Sequence, residues 1–128
     1  INNQPTVAIW GTGTPRREFL YSDDMAEACL YLMNLPDEQF KPLLASYRND
    51  GLPPLVNIGT GVDVTIKELA ELVSSVVGYN GALEFDSTKP DGTMRKLMDV
   101  SFMRSLGWKA ATSLGDGLEL AYKNYINR

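Results

Sequence analysis

The clearest hydrophobic periodicity in the chain lies between residues 65 and 78. Thr65 and Glu68 have the spacing of a capping box at its start, and Gly78 stands at its end. The apolar positions between them recur with the i, i+3, i+4, i+7 spacing of a helix that buries one face: Ile66, Leu69, Ala70, Val73, Val76 and Val77. The pattern predicts an amphipathic helix over this stretch.

Three further helices are indicated by their boundary residues. The first covers residues 22–34 and is apolar on nearly all sides, so we expect it to be deeply buried, with Cys29 as a small core residue. A short helix is predicted to be capped by Ser101 and closed by Gly107. The last helix is predicted to be capped by Ser113.

Short β-rich runs alternate with these helices. Residues 7–10, 55–58 and 82–85 are predicted strands, the second of them buried. Residues 17–21 are interpreted as a continuation of the first strand after a glycine-rich turn. Residues 37–54 contain three prolines and are predicted to form a loop. The alternation predicts one α/β domain spanning the whole chain, a small mixed sheet with packed helices.

Composition narrows the classes of function. The chain has 128 residues and a net charge of −4, which argues against a nucleic-acid partner because such proteins present a basic face. There is no histidine, so a Ser-His-Asp site is impossible within the chain and a metal site is not expected. A single cysteine forms no internal disulfide, which fits a reducing cytoplasm. No apolar run is long enough to span a membrane.

Basic side chains cluster in two places. Arg16 and Arg17 follow the glycine-rich turn at residues 11–15, and a second cluster follows the strand at residues 82–85: Lys89, Arg95 and Lys96. Guanidinium groups beside exposed backbone N–H groups are a common way to hold a phosphate. The alternative is that these charges are solvated and balanced by nearby Glu18, Asp91 and Asp99.

Other candidate residues have competing explanations. Trp10, just before the turn, could cover a ligand, but core packing is the more common role of such a residue. Asp23 and Asp24 are better explained as charges favoured at a helix N-terminus than as a catalytic pair.

Three Gly-x-Gly pairs invite a dinucleotide-binding interpretation. That fingerprint needs a third glycine three positions after the second, and the three positions hold Arg16, Val64 and Leu120. We therefore expect no cofactor-binding residues in this chain.

Several longer runs resemble one family. The matching runs are residues 10–25, 57–69, 76–79, 85–99 and 106–108. Together they resemble the GDP-L-fucose synthase family of extended short-chain dehydrogenases. The run Lys-Pro-Asp-Gly-Thr at residues 89–93 is the part that points to this family in particular.

The resemblance implies that the chain is the C-terminal substrate-binding domain of a longer enzyme. That enzyme would convert GDP-4-keto-6-deoxy-D-mannose to GDP-L-fucose with NADP(H), which an N-terminal Rossmann domain absent from this chain would bind. The resemblance implies a catalytic Tyr-x-x-x-Lys pair, but no tyrosine of this chain is followed four positions later by lysine. We therefore expect no catalytic residues in this chain. We expect the fragment to be inactive and monomeric and the parent enzyme to be a cytoplasmic homodimer. A UDP-sugar epimerase or dehydratase, and a binding module without catalysis, remain as alternatives.

The resemblance also implies roles for single residues. Arg17 matches the arginine that binds the pyrophosphate of the nucleotide sugar, and Trp10 matches a substrate-binding tryptophan. Lys89 is a candidate for a second phosphate contact, and Asp86 is a weaker candidate. Arg16, where methionine is common, leaves open which arginine binds phosphate; the register favours Arg17, which directly precedes Glu-Phe.

Overall fold

The computed structural model describes residues 4–46 and 55–128. They form two small sheets and five helices. The strands are β1 (Thr6–Trp10), β2 (Arg16–Glu18), β3 (Asp63–Thr65), β4 (Ala82–Asp86) and β5 (Arg95–Lys96). The helices are α1 (Ser22–Met33), α2 (Asp37–Ser46), α3 (Ile66–Val77), α4 (Ser101–Ser105) and α5 (Leu114–Ile126).

The strands pair in two separate sheets. Parallel strands β1 and β4 form the first. In the second, β2 lies between β3, which is antiparallel to it, and β5, which is parallel to it. The prediction that residues 17–21 continue the first strand is therefore wrong: β2 ends at Glu18 and belongs to the other sheet. The turn at residues 11–15 carries the chain from one sheet to the other.

Helix α3 confirms the strongest sequence prediction. The Thr65 hydroxyl accepts from the Glu68 backbone N–H at 3.0 Å, and the Glu68 carboxylate accepts from the Thr65 N–H at 2.7 Å. Gly78 ends the helix with φ +69°, a conformation that favours glycine. Packing against α5 buries the apolar stripe of α3 in part.

The two C-terminal helices follow the prediction with one change. Ser113 caps α5 by accepting from the Asp116 N–H at 3.1 Å, as predicted. At α4, however, Val100 is the N-cap residue and Ser101 is already helical. The Ser101 N–H donates to the Asp99 carboxylate at 2.9 Å. The backbone N–H at the first helical position is therefore satisfied by an aspartate side chain two residues earlier in the chain.

Helix α1 has the predicted boundaries, but the prediction of deep burial is wrong. Only Asp24 and Ala28 are buried, whereas Leu30 is 58% and Met33 78% exposed. Cys29 is also exposed and is not a core residue. The prediction assumed that a helix with apolar residues on nearly all sides is covered on all sides. In the described part of the chain, α1 is covered on one side only.

Two predictions fail around residues 37–58. Residues 37–46 form α2 rather than a loop, with Pro42 inside the helix and an ion pair from Lys41 to Asp37 at 2.6 Å; residues 47–54 lie outside the described part. Residues 55–58 pair with no described strand, so the predicted buried strand is wrong. Val56 and Ile58 pack against the core, while Leu55 is 67% exposed.

The core lies between α1, α4 and the segment before α5. Ala28 and Met103 are fully buried there, and Trp108 is 4% exposed. Within residues 4–46 and 55–128, no helix combines the length and hydropathy needed to cross a bilayer.

Candidate functional site

Strand β2 directs the two adjacent arginines to opposite faces of its sheet, because successive side chains in a strand alternate. On one side, Arg16 shares a face with Glu18, Asp63 and Arg95, which we call the ion-pair face. On the other side, the ladder aligns Arg17 with Val64 of β3 and Lys96 of β5, which we call the open face. The sheet thus separates side chains that the sequence places together.

The ion-pair face is organised around Asp63, whose side chain is only 6% exposed. Its two carboxylate oxygens accept from Arg16 Nε at 2.8 Å and from Arg95 Nε at 2.5 Å. Hydrogen bonds from Arg16 and then Arg95 lower the pKa of Asp63 below its ordinary value. Arg16 also approaches Glu68 at 3.8 Å. The expected balancing of Arg16 by Glu18, Asp91 or Asp99 is therefore wrong: its partners are Asp63 and Glu68.

Glu18, on the same face, connects β2 to the loop at residues 60–61 and to Met98. Its carboxylate accepts from the Gly61 N–H at 2.6 Å, the Met98 N–H at 2.9 Å and the Thr60 hydroxyl at 3.2 Å. Burial alone would raise the pKa of Glu18, but these hydrogen bonds outweigh it and lower the pKa. Glu18 is thus occupied by the fold and is not a free acid or base.

The open face presents two cations. Within the described part of the chain, neither Arg17 nor Lys96 lies within 4.0 Å of a carboxylate. Arg17 is half-buried, and its Nη1 donates to the Arg16 carbonyl at 2.7 Å. It lines a cavity of about 510 Å³ whose wall also includes Phe19 and Met103. A half-buried guanidinium held by its own backbone is oriented for an anion from outside the chain.

The loop between β4 and β5 borders this face. A Cβ atom on Gly92 would lie 4.0 Å from Arg17 Nη2. Lys89 lies with its Nζ 5.8 Å from the centroid of the Trp10 ring. Trp10 is 73% exposed, so core packing, the more common role for such a residue, does not explain it. The Asp86 carboxylate accepts from the Thr88 N–H at 3.0 Å within its own turn.

Comparison with known proteins shows which proteins this chain is similar to. The family model of the NAD dependent epimerase/dehydratase family matches residues 1–59. GDP-L-fucose synthase 1 of Arabidopsis thaliana is 50% identical over 132 residues, covering 100% of this chain and 36% of that protein. GDP-L-fucose synthase of Escherichia coli (strain K12) is 45% identical over 128 residues, covering 97% of this chain and 37% of that protein. The chain is a relative of the GDP-L-fucose synthases.

The fold supports the same relationship. The crystal structure of a GDP-6-OMe-4-keto-L-xylo-heptose reductase from C. jejuni matches with a TM-score of 0.83 at 44% identity, covering 95% of this chain and 34% of that chain. The family resemblance and the α/β fold class predicted from the sequence are confirmed. This relative of the GDP-L-fucose synthases spans about a third of the length of the proteins it matches.

In this GDP-L-fucose synthase relative, the glycine-rich turns are not phosphate loops. The Thr12 N–H donates to Asp91 at 2.6 Å, and the Gly61 N–H donates to Glu18 at 2.6 Å. The third pair, at positions 115 and 117, lies inside α5. The Thr12 N–H and the Gly61 N–H are therefore occupied within the chain, and the expectation of exposed N–H donors beside Arg17 is wrong for Thr12.

Asp24 also has a different role from the one expected. It is buried, and it accepts from the Thr112 N–H at 2.9 Å and the Thr112 hydroxyl at 3.0 Å. It therefore connects α1 to the segment before α5 rather than serving only as charge at a helix N-terminus. Among the described residues, no group of three or more acidic, histidine or cysteine side chains could hold a metal.

Proposed function

We propose that this chain is the substrate-binding part of a GDP-L-fucose synthase and that Arg17 and Lys96 hold the pyrophosphate of the GDP-sugar. The observation that carries the proposal is the separation of the two faces of the β2 sheet. Arg16 and Arg95 both pair with the Asp63 carboxylate, whereas Arg17 and Lys96 are neighbours on the open face without a carboxylate partner in the described part of the chain. Identity of 45–50% to proteins named GDP-L-fucose synthase supports the substrate.

The chemistry of the open face suits a diphosphate. A guanidinium donates two parallel N–H bonds to phosphate oxygens, and an ammonium beside it adds a compact positive charge. Sequence reasoning proposed Arg17 but not Lys96, which it counted only as part of a basic cluster. The parallel pairing of Arg17 with Lys96 is the signal that distinguishes it.

Trp10 and Lys89 contribute a second contact in this proposal. Their cation–π pair lies at the end of β1, and Gly92 of the loop that carries Lys89 lies beside the Arg17 side chain. Lys89 would meet a phosphate from the loop side, and the exposed Trp10 ring would contact the ligand. Asp86 serves the loop by fixing its turn, and we assign it no contact with the diphosphate.

In our proposal, none of these residues takes part in the chemical steps of the reaction. Epimerisation and reduction by NADPH would be carried out by other parts of the parent enzyme, which we propose to be a cytoplasmic homodimer. This chain would hold the GDP end so that the sugar reaches the reacting groups. The purified chain, mixed with NADPH and the GDP-keto-sugar, is expected to oxidise no NADPH above the background without protein.

Titration of the chain with GDP and with UDP, followed by amide NMR shifts, tests the site. We expect GDP to saturate at lower concentration than UDP and Arg17→Ala to weaken GDP binding about tenfold or more, since a charge-assisted hydrogen bond contributes about 1.5–3 kcal/mol. Arg128→Ala removes an exposed arginine at the C-terminus and should leave affinity unchanged.

The alternatives predict different titrations. Preferential saturation by UDP would favour a UDP-sugar epimerase or dehydratase. Unchanged shifts with both nucleotides at millimolar concentration would favour a binding module that does not use nucleotides. Equal GDP affinity in Arg17→Ala and the unsubstituted chain would remove Arg17 from the site.

A further inference from the structure

We propose that Asp63 is the positioning residue that holds Arg17 and Lys96 in register for the diphosphate, although it faces away from the ligand. The inference rests on the proposed function of the open face. Asp63 lies on β3, at the edge of the three-stranded sheet, yet its carboxylate reaches across β2 to β5. One buried side chain thereby connects all three strands from the side opposite Arg17.

The contacts of Asp63 fix both strands that carry the open-face cations. Its Oδ1 accepts from Arg16 of β2, and its Oδ2 accepts from Arg95 of β5. Its backbone carbonyl accepts a further bond from Arg16 Nη2 at 2.9 Å. Each guanidinium is the immediate sequence neighbour of an open-face cation, so movement on the ion-pair face moves Arg17 or Lys96 directly.

Strand β5 depends on this contact because it is only two residues long. Two residues of parallel pairing offer few ladder bonds, and the next anchor along the chain is the Met98 N–H bond to Glu18. Without the Arg95 bond to Asp63, Lys96 would be held only by the backbone pairing with β2, which includes the Arg16 N–H bond to the Met94 carbonyl, and by the Met98 bond to Glu18. The spacing of the two cations therefore depends on a carboxylate that contacts no ligand.

Electrostatics and positioning predict opposite effects for removal of this charge. Asp63→Asn takes away a negative charge and leaves two guanidinium groups less neutralised, so a purely electrostatic role predicts tighter binding of an anion. A positioning role predicts weaker binding, because the pair of cations loses its fixed spacing. The sign of the change in affinity distinguishes the two roles.

The experiment measures GDP affinity of the chain by calorimetry at low temperature, with amide spectra to show that each variant is folded. We expect Asp63→Asn to weaken GDP binding at least fivefold. Arg95→Lys keeps the charge but loses the Nε donor, and we expect GDP binding to weaken about threefold. Glu71→Gln makes the same charge change as Asp63→Asn on the exposed face of α3 and should change nothing.

A double variant separates positioning from general destabilisation. In the Arg17→Ala background, Asp63→Asn should cause little further loss, because the group that it positions is already gone. Unchanged or tighter GDP binding in Asp63→Asn, with the Arg17→Ala loss intact, would overturn this inference and leave the proposed function standing. Absence of GDP binding by the unsubstituted chain would overturn both. If Asp63→Asn does not fold, unchanged affinity in Arg95→Lys and in Arg16→Lys would overturn the inference.

Discussion

Arg16 and Arg17 occupy consecutive positions of β2, yet they differ in their hydrogen-bond partners and in their contact with a cavity. Arg16 donates to a buried carboxylate across the sheet, and hydrogen bonding to Asp63 raises its pKa. Arg17 donates only to the backbone carbonyl of Arg16 and lines a cavity of about 510 Å³. One residue of strand separates a structural arginine from an arginine that is available to a ligand.

The comparison shows that local composition identifies a basic cluster but not the role of each member. Both arginines look equivalent in the sequence, and the same holds for Arg95 and Lys96. The ladder sorts the four residues into two pairs, one on each face. We therefore propose a stabilising role for Arg16 and Arg95 and a binding role for Arg17 and Lys96, a division that substitutions can test.

The largest expected effect is a contrast between the two arginine variants, one of which should lose GDP affinity and the other thermal stability. Arg17→Ala should weaken GDP binding about tenfold or more, since it removes a charge-assisted contact. Arg16→Ala should weaken it about threefold or less but lower the melting temperature more than Arg17→Ala does, because it leaves Asp63 with one partner. Calorimetric titration and thermal melts of both variants check this. Equal profiles in the two variants would abolish the distinction between the faces.

The next effect concerns the contribution of the ion-pair face to the free energy of unfolding. Thr65, opposite Arg16 in the ladder, caps α3 through its hydroxyl. Thr65→Ala should reduce the free energy of unfolding by about 1 kcal/mol, the usual contribution of a helix cap. Denaturant titration measures this, and Thr65→Ser, which keeps the hydroxyl, serves as the control. A tenfold loss of GDP affinity in Thr65→Ala would mean that this cap also positions the open-face cations, a role that we assign to Asp63 and not to Thr65.

Sequence reasoning succeeded where the determinants are local. The capping box at Thr65 and Glu68, the glycine at position 78 and the serine cap of α5 are all decided by residues within one turn of each other. The family resemblance was also available, because it depends on residue identity alone. These parts of the fold needed no knowledge of distant contacts.

The failures involve partners that are distant in sequence. The exposure of Leu30 and Met33 on α1, and the absence of a described strand beside residues 55–58, depend on which surfaces meet. The contacts that distinguish Arg16 from Arg17 are also distant in sequence, because Asp63 is 47 residues from Arg16 and 32 from Arg95. No local pattern links those three residues, so only the register of the family resemblance, and not the residues themselves, favoured Arg17 over Arg16.

A smaller effect is expected for Lys96. Lys96→Ala should weaken GDP binding about threefold and reduce its dependence on salt, because an exposed ammonium contributes a screened charge rather than a fixed fork of donors. Affinity measured at low and at moderate ionic strength checks both parts. Lys123→Ala, which removes an exposed lysine from α5, is the matched control. A loss in Lys96→Ala that equals the loss in Lys123→Ala would exclude Lys96 from the open-face site.

The smallest and most gradual effect is the pH dependence of the stability that the ion-pair face contributes. The pKa values of Asp63 and Glu18 are lowered in the folded chain from ordinary values of 3.8 and 4.5. A carboxyl group with a lowered folded pKa stabilises the fold above its unfolded pKa, and that contribution is lost as pH falls through the folded value. The chain should therefore lose stability progressively below about pH 4.5.

Glu18→Gln provides the internal test of that pH dependence. The variant should be less stable than the unsubstituted chain at pH 7, and the difference should shrink as pH falls from 5 to 3, because the unsubstituted chain then loses what the variant already lacks. Denaturation midpoints at several pH values measure the difference. A constant gap over that range would mean that the Glu18 charge contributes nothing and that its hydrogen bonds to Gly61 and Met98 act as neutral contacts.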